Sequence, residues 1–200
     1  MTMDKTYIDE LLKYGEHIAL ECKKAEGGVP KSIWETYSAF ANTNGGTIIL
    51  GVEEDFQADN WDDRFNVLGV RNPENIVKDF WNTINSDKVN ACVLKDENVQ
   101  IVEYDKQINV VVIQVPQAAY NIKHVYINGN VYKGTFKRNF EGDYHCEEGE
   151  VKAMIRDANE DGNDGNIVEY YTMDDIDVTT LKNYRNEFEN HNIGHFYNQL

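Results

Sequence analysis

A chain of 200 residues is long enough to bury one full hydrophobic core, and its 41% hydrophobic and 27% charged residues exclude collagen-like and wholly disordered classes. No apolar run approaches the roughly 18 to 20 residues of a membrane span, and the polar N-terminus lacks the apolar core of a signal peptide, so we expect a cytoplasmic protein that does not cross a membrane. Three cysteines, Cys22, Cys92 and Cys146, at wide spacings without a C-x-x-C exclude a disulfide framework and a structural zinc site and read as free thiols. The formal charge is −16, a poor start for holding a phosphate backbone, but residues 141–177 hold thirteen acids against two bases and so account for −11 of it. A basic face in the first two-thirds is therefore compatible with the total.

Tyr7, Ile8, Leu11 and Leu12 at helical spacing predict a helix over 3–14, stopped by Gly15. Residues 17–23 alternate, with Ile18, Leu20 and Cys22 on one side, which predicts a half-buried strand. Pro30 suits the start of a helix carrying Ile33, Tyr37, Phe40 and Ala41, and residues 42–46 stop it. Residues 47–52 are nearly all apolar, as a central strand requires, followed by an expected polar loop over 53–64 and a short strand over 65–70. Pro73 opens a helix with Ile76, Val77, Phe80, Trp81 and Ile84. Residues 99–104 and 108–115 pair as a hairpin turning at Asp105-Lys106, and Asn128-Gly129 predicts a second hairpin between 125–127 and 131–133. Helices are expected over 147–158 and 177–190, with an acidic Gly/Asn linker over 159–166. The pieces lack a regular βαβ repeat, which points to an α+β fold with a mixed, mainly antiparallel sheet and flanking helices.

Three patterns bear on chemistry. In the first strand, Glu21 and Lys23 lie two apart on one face, with Glu16 upstream, the arrangement by which some nucleases hold a divalent ion; on an exposed strand the same tripeptide is usually a solvated ion pair. The second is Ser38-Ala39-Phe40-Ala41-Asn42-Thr43-Asn44-Gly45-Gly46-Thr47, where a helix ends, a buried strand follows, and acids including Glu53 come at its carboxyl end. Gly45-Gly46 is no phosphate loop, because it precedes a strand and lacks the GK[ST] ending. The third, Tyr132-Lys133-Gly134-Thr135-Phe136-Lys137-Arg138-Asn139-Phe140, interleaves bases with aromatics, which suits nucleotide phosphates and stacked bases as well as a lysine-guarded strand edge.

Taken together, the E-x-x-x-x-E-x-K strand, the S-A-F-A-N-T-N-G-G-T-I-I-L-G-V segment with its acids, and Y-K-G-T-x-x-R-N resemble the Schlafen-type AlbA domain, over about 14–139. Residues beyond it look like the bacterial subgroup of transcriptional regulators and divergent, RecG-like ATP-binding proteins. The resemblance implies a Schlafen AlbA-type domain over 1–158, the linker, and over 167–200 the helical start of a further, truncated region. It implies Lys133, Lys137 and Arg138 as contacts to DNA or RNA. In the RNA-cleaving branch it implies Glu16, Glu21 and Glu53 as ligands to Mg or Mn, with Lys23 beside them as a catalytic partner; Glu53 departs from the aspartate of that branch. ATP would serve the longer protein.

The expected function is thus a nucleic-acid-binding domain of a bacterial transcriptional regulator. The alternatives are a divalent-metal-dependent nuclease and a nucleotide- or protein-binding regulatory module. Convergence of the three glutamates would favour the nuclease, and ion pairs to neighbouring lysines would oppose it. A homodimer is a further expectation.

Overall fold

In the structure, a computed structural model, residues 3–13, 19–55, 57–58, 60, 64–158 and 172–191 are described. The chain divides into two units, Met1–Glu160 and Asp161–Leu200. The expected linker over 159–166 lies outside the described residues. Among those residues no helix is long and apolar enough to cross a membrane.

The first unit is built on a four-stranded sheet in the order β1-β2-β6-β5, with β1 Leu20–Lys23, β2 Gly46–Leu50, β5 Val99–Asp105 and β6 Ile108–Val115. β1 runs parallel to β2 and the other pairings are antiparallel, so the sheet is mixed. Its two faces follow from period-two alternation. Ile48, Leu50, Val111 and Ile113 meet helices α2 (Ile33–Asn42) and α3 (Pro73–Ile84) on one side. Ile49, Val110 and Val112 meet α1 (Lys5–Lys13) through Ile8 and Leu12 on the other. Helices thus cover both faces, which is why the two central strands are apolar on both sides. Pro73 stands at the start of α3, where its missing N–H costs nothing.

The structure departs from the expected elements in four places. The apolar run 47–52 is not one strand: the chain breaks at Gly51, and Val52 opens β3 (Val52–Glu54), which pairs with β4 (Phe65–Val67) in a separate two-stranded sheet. Gly51 has φ 102°, and a Cβ there would lie 2.9 Å from the backbone of Gly69, so only glycine suits the bend. Consequently Glu53 and Glu54 are strand residues and not loop. In the first hairpin the turn falls one residue late, at Lys106-Gln107, with a register shift between Glu103 and Asp105.

At the second predicted hairpin, Asn128 and Gly129 both take positive φ, 58° and 63°, as a type I′ turn demands. The chain does not return as a strand, however. Gly134 N–H turns back to Asn130 O at 2.7 Å while its carbonyl accepts from Ile127 N–H at 3.0 Å, leaving isolated bridges Val89↔Ile127 and Tyr126↔Thr135. The hairpin that does form comes next: β7 (Phe136–Asn139) pairs with β8 (Gly142–His145). It was not legible because its turn is Phe140-Glu141, with Phe140 at φ 56° where glycine or asparagine is usual. Helix α4 (Glu148–Ala158) closes the unit, and α5 (Val178–His191) belongs to the second.

Candidate nucleic-acid interface

The β7–β8 hairpin is where the sequence patterns converge. Its inner face packs on α2, and the S-A-F-A-N-T segment of α2 is what holds it. Ser38 Oγ donates to Val125 O at 2.7 Å and accepts from Phe136 N–H at 3.0 Å. Asn42 Nδ2 donates to Val125 O (2.8 Å) and Phe136 O (2.9 Å), and its Oδ1 accepts from Val125 N–H at 2.7 Å. Both side chains are buried, so they satisfy backbone groups that water cannot reach. Thr43 Oγ1 accepts from Arg138 N–H at 3.0 Å, and Thr36 Oγ1 donates to Asp143 at 2.6 Å. Gly134 fits under this arrangement because a Cβ there would sit 2.1 Å from Ile127 O. Thus the most specific part of the sequence motif is scaffold for the hairpin. Gly45-Gly46 is likewise structural: Gly45 N–H closes α2 onto Phe40 O at 2.9 Å and Gly46 begins β2.

Among the described residues, the predicted acids Glu21 and Glu53 lie in separate ion pairs. Glu21 points to the α2 side of the sheet, opposite Ile48 in the register, where its Oε1 meets Lys23 Nζ at 2.7 Å and its Oε2 meets Arg138 Nη1 at 2.9 Å. Arg138 is buried, lies over the Phe40 ring, and binds Asp143 Oδ1 (2.9 Å) and Leu20 O (3.0 Å) as well. Glu53 pairs with Lys24 Nζ at 2.9 Å, and this carboxylate is the main cause of the raised pKa of Lys24, with Glu26 next. Glu16 lies outside the described residues. Each carboxylate oxygen of Glu21 thus faces a cation, and among the described residues no three His, Cys, Asp or Glu side chains are grouped to hold a metal ion.

The outer face of the hairpin is different. Lys137 and Tyr144 are directly opposite in the register and therefore neighbours on one face, with Tyr144 lying across Gly142. Phe140 at the tip is 76% exposed and Tyr144 55% exposed; Tyr132 and Lys133, just before β7, are exposed too. Lys137 Nζ meets Glu150 Oε1 of α4 at 2.5 Å. That contact raises the pKa of Lys137 and lowers that of Glu150. The surface therefore offers two lysines among three exposed aromatic rings. Sequence reading found the lysines and Phe140 but missed Asp143 and Tyr144. Its signal was available: opposite charges five apart, Arg138 and Asp143, across a two-residue turn.

A mixed sheet covered by helices on both faces, with a clamped hairpin beside it, defines an α+β domain. The chain belongs to the Schlafen AlbA_2 family, whose profile matches residues 16–147. Residues 152–200 match a domain of unknown function, DUF8451. Among solved structures, the chain is similar to the N-terminal domain of a RecG-related protein from Nitrosomonas europaea, determined by solution NMR. The two share 24% identity over 72% of this chain and 94% of that one, with a TM-score of 0.54. The comparison with curated proteins finds no match.

Proposed function

We propose that this domain binds nucleic acid through the outer face of residues 132–144. The carrying observation is the exposed set Lys133, Tyr132, Phe140 and Tyr144 with the half-buried Lys137 beside Tyr144, in which lysines supply phosphate contacts and rings supply stacking surface. Ring faces exposed this way favour unpaired bases, since duplex bases are already stacked. Arg138, in this reading, positions the hairpin and does not touch the ligand. Membership of the Schlafen AlbA_2 family and the fold shared with the RecG-related domain support a nucleic-acid role. Transcriptional regulation by a longer protein is the setting that the family resemblance implies.

The test is fluorescence anisotropy with labelled single- and double-stranded DNA and RNA at low and moderate salt. Binding should weaken steeply as salt rises, and the double variant K133A/K137A should flatten the dependence of log K on log salt by about 1.5. Loss of either exposed ring, in F140A or Y144A, should weaken single-strand binding about tenfold. Absence of binding to every oligonucleotide, or variants indistinguishable from the parent protein, would overturn the reading.

A further inference from the structure

The lysine at the centre of the proposed surface is already occupied. Lys137 Nζ lies 2.5 Å from Glu150 Oε1, and Glu150 comes from the first turn of α4, thirteen residues further along the chain. Glu150 is itself held in place, because its Oε2 accepts the N–H of Glu147 at 2.8 Å, as in half of a capping box. Both partners thus belong to elements fixed by other bonds: β7 by its pairing with β8 and its clamp on α2, and α4 by this cap.

We infer that Glu150 is an intramolecular phosphate mimic that sets the affinity of the surface: a nucleic-acid phosphate reaches Lys137 only by displacing this carboxylate. The inference rests on the nucleic-acid reading and adds regulation to it. The ammonium has three donors, but the Glu150 carboxylate neutralises its charge and repels a second anion, so carboxylate and phosphate compete for Lys137. The opposed pKa shifts of the two side chains agree with a formed pair. The same helix provides an internal control. Glu148 pairs with Lys152 at 2.7 Å, one turn along α4, so its neutralisation changes the net charge equally without touching Lys137.

The experiment compares the full chain with E150Q, E148Q and E150Q/K137A in the anisotropy titration. Glutamine keeps an oxygen for the Glu147 N–H while removing the charge, and circular dichroism checks that α4 remains folded. E150Q should tighten binding on the order of fivefold, the upper range of an exposed ion pair. E148Q should change affinity much less, and K137A should cancel the gain in the double variant. Equal gains in E150Q and E148Q would show a bulk charge effect and overturn the inference while leaving the nucleic-acid reading standing. Failure of all four proteins to bind would overturn both.

Discussion

Arg138 Nη1 meets Glu21 Oε2 at 2.9 Å, joining β7 to the edge strand β1 across 117 residues of sequence, with the arginine side chain only 1% exposed. The same nitrogen binds Asp143 on the paired strand β8, and Nη2 binds the carbonyl of Leu20. One guanidinium therefore ties three strands together. Its planar fork suits this role in a way that a lysine ammonium does not.

Removing that fork leaves Glu21 and Asp143 without their shared cation. R138A should destabilise the domain by about 3 to 5 kcal/mol, the range for breaking a buried pair by deleting one partner. R138K should also lower stability, because a point charge cannot serve both carboxylates and Leu20 O together. Urea unfolding followed by tryptophan fluorescence measures this. A midpoint unchanged in both variants would sink the view of Arg138 as the hairpin anchor.

Asn42 makes three hydrogen bonds to the backbone of residues that lie 83 and 94 positions away. N42A strands the buried N–H of Val125 and weakens two carbonyl contacts, so we expect a loss of about 2 to 4 kcal/mol. S38A should cost less, and the double variant should cost less than the sum, since both side chains serve Val125 O and Phe136. Strict additivity in chemical denaturation would contradict a shared clamp.

The three thiols should react in a fixed order. Cys92 is exposed, Cys22 is half-buried, and Cys146 is buried. Burial, followed by the nearby Glu150, pushes the Cys146 thiol up to about 11, against a smaller opposing effect of Lys137. At pH 8 about one Cys146 in a thousand is then thiolate, the reactive form. In a timed reaction with a disulfide reagent, Cys92 should label first and Cys146 only once the domain is unfolded. Rapid labelling of Cys146 in the native protein would contradict its burial.

Local physics made much of this fold legible. Pro73 and the apolar spacing of Ile76, Phe80 and Ile84 place α3, and the apolar runs of β2 and β6 mark strands buried on both faces. These signals are short-range: helical and strand periods, a fixed φ, a turn that needs glycine. The lysines and aromatics of residues 132–140 were legible in the same way, as composition.

Partnership was not. Whether Glu21 is a metal ligand, a solvated ion or an anchor depends on what lies opposite it, and only the tertiary structure brings Arg138 there. Gly51 divides an unbroken apolar run because Gly69 packs against it, and that approach is invisible from either glycine alone. Likewise Lys133 and Lys137 read alike in sequence, yet one is exposed and the other is held by Glu150. The chain itself determined which segments form helices and strands, through interactions a few residues long. Burial and charge pairing, which join residues a hundred positions apart, decided which side chains are scaffold and which face outward.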